Sequence, residues 1–193
     1  MVCAGTEDDE QWLLNIEAWM DAVRGLGCVH KGFNDGLEDL WPKIEAKIGD
    51  APFILTGHSR GAAQATILTG YALRSGKRPA FRVVFGEPLS GDGEFARRVA
   101  EVPSVSFCAI DGDEFDPVVS VPVDIPGILP YKRAAPVIGL HVSPSKTNPW
   151  PMPLSLHWIV DYQSALESWG GDCGGSSSCG DVCIEPAKVE DAH

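Results

Sequence analysis

No stretch of this sequence approaches the run of about 18 apolar residues that a membrane-crossing helix needs. Met1 to Glu10 contain no lysine or arginine, so the basic start of a secretory leader is missing from this chain. On that reading the cytoplasm is the favoured setting, with a leader removed upstream as the alternative. Basic charge is scarce throughout: 15 Lys and Arg stand against 27 Asp and Glu, a net charge of −12. Such a surface repels phosphate backbones, so neither nucleic acid nor an anionic membrane is an expected partner. No internal repeat and no block of like charge is present. The 44% hydrophobic and 22% charged content is that of a globular chain and excludes disordered, collagen-like and coiled-coil classes. A length of 193 residues suits one domain that buries about 70% of the surface its unfolded chain would expose.

Six cysteines are too scattered for a stapled scaffold. Cys3, Cys28 and Cys108 each lie in an apolar, strand-like run and read as small core residues. Cys173, Cys179 and Cys183 share the Gly/Ser-rich tail. Their spacing fits no common zinc pattern, which leaves a local disulfide in an oxidising setting as the stronger reading there. No metal and no cofactor is expected.

Apolar spacing predicts a strand at Met1–Gly5, a helix at Asp8–Met20, a short apolar stretch at Gly25–His30 and a helix at Asp35–Ile48 ended by Asp50-Ala51-Pro52. Phe53–Thr56 has the unbroken apolar character of a strand buried on both faces. Ser59–Leu73 reads as a buried helix, Phe81–Phe85 as a strand, Phe95–Val102 as a helix and Ser104–Ile110 as a strand. Nine of the 15 prolines fall between positions 117 and 153, so Asp111–Pro153 is expected to be irregular. Leu156–Trp169 closes the fold as a helix. The domain is thus expected to span 1–169, with a polar tail at 170–193. Alternating strands and helices build a mostly parallel α/β sheet with helices on both faces. A ligand site is expected at the carboxyl ends of its strands.

Gly57-His58-Ser59-Arg60-Gly61 has the form G-x-S-x-G. The pattern is weak alone, but a buried strand precedes it and an alanine-rich helix follows. That is the setting of a nucleophile elbow, with the serine at the start of a helix whose positive end favours an oxyanion. A serine nucleophile needs a base and an acid that orients it, in the chain order Ser, acid, His. His30 and His58 precede Ser59, and His193 ends the tail. His157 follows the proline-rich stretch and is preferred over His141, which sits in the apolar run Ile138–Val142. Spacing leaves four acids open: Asp111, Asp113, Glu114 and Asp116.

Seven segments in order resemble the class 3 lipases. They are Val2-Cys3-Ala4-Gly5-Thr6, Gln11–Asn15 with Trp12, Val29-His30-Lys31-Gly32-Phe33 and Thr56–Ala63. The others are Phe85-Gly86-Glu87-Pro88 with Gly91-Asp92, Asp116-Pro117-Val118 with Val121-Pro122, and His157 with Tyr162 and Leu166. The resemblance implies an α/β-hydrolase fold with a reduced sheet. It also implies a serine ester hydrolase, lipase or esterase, in which Ser59 is nucleophile, Asp116 the acid and His157 the base. The backbone N–H groups of Thr6 and Arg60 are then the oxyanion donors, and His30 is a structural, hydrogen-bonded residue. Ala4, Arg60 and Ala62 depart from the family pattern. Relatives usually have a helix and further strands before the oxyanion strand, so the chain reads as either minimal or truncated, with Met1 near the site.

Expected substrate contacts are Trp12, His58, Ile128 and Leu129. In relatives a lid follows the oxyanion strand, and Glu7–Asn15 is its equivalent here. The proline-rich loop Val123–Pro153, with Ile125, Ile128, Leu129, Tyr131 and Trp150, is expected to wall the acyl groove, unless it merely packs on the core. Partners implied are a small ester or lipid and transient contact with a lipid interface, with no obligate protein partner. The alternatives are a carboxylesterase or feruloyl-type esterase acting on small soluble esters, and a non-catalytic binding module on the same fold.

Overall fold

The computed structural model describes residues 1–3, 19–122, 130–146, 148 and 154–169. The expected helix at Asp8–Met20, apart from Trp19 and Met20, the lid equivalent Glu7–Asn15 and the tail at 170–193 lie outside these. Five parallel strands form the main sheet: β1 (Val2–Cys3), β4 (Ile54–His58), β5 (Phe81–Phe85), β7 (Ser104–Asp111) and β10 (Val137–His141), side by side in that order. A short β8 (Glu114–Phe115) folds back antiparallel on the end of β7. A second, antiparallel sheet joins β2 (Met20–Val23), β3 (Gly27–His30), β6 (Gly91–Asp92) and β9 (Tyr131–Lys132). The helices are α1 (Lys31–Asn34), α2 (Leu37–Ile48), α3 (Arg60–Arg74), α4 (Gly93–Val99) and α5 (Ile159–Trp169). No helix among the described residues is long and apolar enough to cross a membrane.

Side chains alternate across a strand, so each strand feeds two cores. Leu55 and Val84 project to one face, where they pack with the small residues of α3 (Ala62, Ala63, Ala65 and Ala72) and with Leu26, Phe33 and Trp41. Alanines let this helix lie close against the sheet, and its residues 61–63 and 65–72 are all buried. On the other face Phe85, Phe107, Ala109 and Leu140 meet Tyr162, Ala165 and Leu166 of α5.

Several expectations need correction. Met20 opens a strand rather than ending a helix. The stretch 111–153 is not uniformly irregular: Val137–His141 pairs with β7 over its whole length and completes the parallel sheet. Tyr131, expected on a surface loop, is buried in the small sheet, where its ring faces His30. The helix predicted from Leu156 begins instead as a 3-10 turn, Leu154–His157, and the α-helix starts at Ile159. Met1 is not beside the site: its ammonium donates to the carbonyl of Ile54, at the start of β4, while Cys3 pairs with Gly57 at the other end. Of the three cysteines read as core, Cys108 is buried, whereas Cys3 and Cys28 are half-buried free thiols.

The turn after β5 is pinned by a buried ion pair. The guanidinium of Arg82, with no exposed surface, reaches Glu87 at 2.9 Å. Arg82 also donates to Thr66, to Ser104 Oγ at 3.3 Å and to the Ala134 carbonyl at 3.3 Å, and Thr66 donates to Glu87. Removing one member strands the other's charge out of water. Arg82→Met is therefore expected to lower unfolding free energy by about 3–5 kcal/mol, read by urea denaturation. A loss under about 1 kcal/mol would mean that the ion pair does not pin this turn.

Candidate active site

At the carboxyl end of β4 the chain turns sharply into α3, and Ser59 is the turning residue. Its φ of 56° and ψ of −129° make it the one non-glycine residue with positive φ among the described residues. Such a conformation costs about 1–3 kcal/mol and persists only where the surroundings impose it. They do so here. The Ser59 N–H donates to Phe85 O at 3.0 Å, and the Ser59 carbonyl accepts from Ala62 and Ala63 at 2.9 and 3.2 Å. Gly57 makes the turn sterically feasible, because a Cβ there would run into the backbone of Gly61 and Ala62. Arg60 is the first residue of α3, at the helix's positive end.

The acid and the imidazole meet between two 3-10 turns. Asp116 follows β8 and caps the 3-10 turn Pro117–Ser120, with Oδ1 accepting from Val118 N–H at 2.9 Å. Its Oδ2 lies 2.6 Å from His157 Nδ1 and accepts from the Tyr162 hydroxyl at 2.6 Å. Tyr162 in turn accepts from the Ala109 N–H at 2.9 Å. Asp116, His157 and Tyr162 have no exposed surface. Burial pushes the Asp116 carboxyl up, but the His157 imidazole, by proximity and by its hydrogen bond, together with the Tyr162 hydroxyl and the Val118 N–H outweighs it and holds the group below the usual carboxylate range. An ionised Asp116 cannot donate, so the proton between the two groups sits on His157 Nδ1, and Nε2 is left as the basic nitrogen. Burial, and then the Asp116 charge, push the Tyr162 hydroxyl well up, so it stays a donor.

Gly86 joins these halves. It follows Phe85, which holds Ser59, and has φ 53°. A Cβ at this position would lie 2.7 Å from His157 Cε1, 2.8 Å from His157 Nδ1 and 2.8 Å from Asp116 Oδ2. The His58 ring stacks on the His157 ring at 4.5 Å, and its Nε2 lies 2.9 Å from the His157 carbonyl oxygen. The residue before Ser59 is thus in contact with His157, and the Phe85 carbonyl that accepts from the Ser59 N–H is followed directly by Gly86. Its hydroxyl is buried and makes no hydrogen bond to a described residue. In catalytic sites the hydrogen bond between a nucleophile and its base is often long until substrate binds.

Known proteins resemble this chain in sequence and in fold. The family described as lipase (class 3) matches residues 1–125. The chain belongs to the class 3 lipases. A secreted mono- and diacylglycerol lipase of Fusarium solani is 30% identical over 150 residues, covering 72% of this chain and 43% of that protein. A lipase of Caenorhabditis elegans is 28% identical over 130 residues, covering 61% of this chain and 36% of that one. The chain therefore spans less than half the length of these curated relatives. The solved structure of Rhizomucor miehei triacylglyceride lipase superposes with a TM-score of 0.58 at 20% identity, covering 70% of this chain and 54% of that one. The fold is that of an α/β-hydrolase.

In this class 3 lipase chain Asp116 and His157 are in contact and His58, the residue before Ser59, stacks on His157, while Asp111, Asp113 and Glu114 are exposed on the β7–β8 hairpin. His141 is exposed at the end of β10. His30 is buried and caps α1, with Nδ1 accepting from Phe33 N–H at 3.2 Å. Thr6, Trp12, Ile128 and Leu129 lie outside the described residues. His58 does lie at the site, and its ring is engaged with His157. Among the described residues no three His, Cys, Asp or Glu side chains gather as a metal site.

Two contacts escaped sequence reasoning. Tyr162 was legible only as part of a pattern with His157, and Gly86 only as part of a motif. Neither residue type announces that it touches the carboxylate. The tight fit at Gly86 makes it sensitive to substitution. Gly86→Ala is expected to lower stability by about 1–3 kcal/mol from backbone strain alone and to push the imidazole off Asp116. Urea unfolding, together with loss of the far-downfield Nδ1–H proton resonance, reads both effects. Unchanged stability with an unchanged signal would show slack at this turn.

Proposed function

We propose that the chain is a carboxylic ester hydrolase working through an acyl-enzyme, with Ser59 as nucleophile, His157 as base and Asp116 as the orienting acid. The observation that carries this reading is the buried 2.6 Å contact between Asp116 and His157, packed against the turn that holds Ser59. The family match ends at residue 125, so the role of His157 rests on that contact.

In the first half-reaction Ser59 Oγ bonds to the ester carbonyl carbon while His157 Nε2 takes the hydroxyl proton. Asp116 stabilises the imidazolium without itself taking a proton. The carbonyl oxygen becomes an oxyanion and accepts from the Arg60 N–H at the start of α3, with Thr6 as the second donor assigned by resemblance. One such donor is worth about 3 kcal/mol. The carbon–oxygen bond to the leaving alcohol then breaks, and His157 returns its proton to that alcohol. Water, deprotonated by the same nitrogen, releases the acid and restores Ser59.

For substrate, an acylglycerol fits best, in keeping with the name of the Fusarium relative. A cleft of about 320 Å³ lined by Phe85, Ile159, Tyr162, Gln163, Leu166 and Glu167 shares Phe85 and Tyr162 with the site, and its lining is mainly apolar, as an alkyl chain requires. Transient contact with a lipid interface is part of the proposal. A fluorophosphonate probe is expected to give one covalent adduct on Ser59, and Ser59→Ala is expected to lose both labelling and hydrolysis of p-nitrophenyl butyrate. Labelling at another residue, or hydrolysis that survives in Ser59→Ala, would overturn the assignment.

A further inference from the structure

His58 stands directly before Ser59 in the chain, as the last residue of β4. It makes two contacts with His157, 99 residues away. Its Nε2 lies 2.9 Å from the His157 carbonyl oxygen. A carbonyl oxygen can only accept, so Nε2 carries the proton and donates. Its ring also lies on the His157 ring, centroid to centroid 4.5 Å and 29° apart, and meets Tyr162 edge-on at 5.6 Å.

His157 ends the 3-10 turn Leu154–His157, and the following α5 does not begin until Ile159. The residue is therefore outside the hydrogen-bond ladder of the helix that follows it. Asp116 fixes the imidazole at one nitrogen, and Gly86 passes along its Cε1–Nδ1 edge. Neither contact holds the backbone of His157 or backs a face of its ring.

We propose that His58 is a positioning residue for the base: its Nε2–H anchors the His157 carbonyl, and its ring backs one face of the His157 imidazole. This rests on the triad reading above. It differs from the substrate contact that the sequence suggests for His58. Because His58 and Ser59 are adjacent, one strand end sets the nucleophile and the support of its base together. A change in the elbow therefore moves both rather than pulling them apart.

The charge state fits the role. The groups that face His58 are His157 from the 3-10 turn, the Asp116 carboxylate and the Tyr162 hydroxyl of α5. Burial, and then the proximity of His157, push the His58 imidazole down to about 3, against the weaker opposing pull of Asp116. His58 therefore stays neutral while His157 cycles through its imidazolium. A permanent cation stacked there would oppose each proton transfer from Ser59.

The test compares wild type with His58→Gln, which can still donate from its amide, and His58→Phe, which keeps a ring but has no donor. Hydrolysis of p-nitrophenyl butyrate is resolved into kcat and KM, and the His157 Nδ1–H resonance is followed by proton NMR. The expected order of kcat is wild type, then Gln, then Phe, with Phe lower by about 10–100-fold, the scale of a base displaced by about 1 Å. KM should stay within about twofold, and the Nδ1–H signal of the Phe variant should broaden although the protein remains folded. If His58→Phe does not fold, His58→Leu takes its place in the same order. Wild-type kcat and a sharp signal in His58→Phe would overturn the proposal. So would a raised KM at unchanged kcat, which would return His58 to substrate binding. A wild type inert toward both the ester and a fluorophosphonate would overturn the triad reading, and the Nδ1–H signal would then decide the positioning role by itself.

Discussion

The site depends on a charged carboxylate kept out of water. Asp116 has no exposed surface, and an unpaired carboxylate in that position would take up a proton rather than remain ionised. Three donors prevent this: the Val118 N–H, the Tyr162 hydroxyl and His157 Nδ1–H. Each comes from a different part of the chain. Val118 lies in the turn that Asp116 itself caps, Tyr162 on the last helix and His157 on the turn before that helix. The ionised acid fixes the imidazole's proton on Nδ1, and that fixes where the basic nitrogen is.

The rest of the fold delivers these groups to one place. Parallel strands β4, β5 and β7 end on the same side, so Ser59 and Gly86 follow neighbouring strands directly, and the β7–β8 hairpin folds Asp116 back beside Ala109 of β7. The Arg82–Glu87 pair lies directly beneath the turn that carries Gly86. Burying two charges brings little net stability by itself. It does tie the Gly86 turn to Thr66 in α3 and to the Ala134 carbonyl. The elbow's strained serine is held by the same turn, through the Phe85 carbonyl. Strain at Ser59 and close approach at Gly86 are thus two consequences of a single junction.

How much of this the sequence carried varies with the kind of signal. The elbow was legible because two glycines at fixed spacing sit between a continuous apolar strand and an alanine-rich helix. The buried strands β5 and β7 were legible as short apolar runs. The acid was not fixed by spacing. Asp111, Asp113 and Glu114 share the local composition of Asp116, and what separates them is a hairpin that turns the first three outward and Asp116 inward. Only the ordered resemblance to class 3 lipases pointed to Asp116. Strand β10 was hidden because Pro136 and Pro144 bracket it, and its five residues pair only through distant β7. The hairpin at Met20–Val23 was hidden because Met-Asp-Ala-Val has no strand alternation. The positioning by His58 and Tyr162 was hidden because both act across long sequence separations.

On the proposed mechanism Asp116 and His157 act as one unit, and a double-mutant cycle measures this most directly. The kcat for p-nitrophenyl butyrate is determined in wild type, Asp116→Asn, His157→Ala and the double variant. If the carboxylate works only through the imidazole, the double variant should be no slower than His157→Ala alone, because the second loss removes nothing that remains in use. Losses that multiply across the two sites would show independent roles and contradict the account.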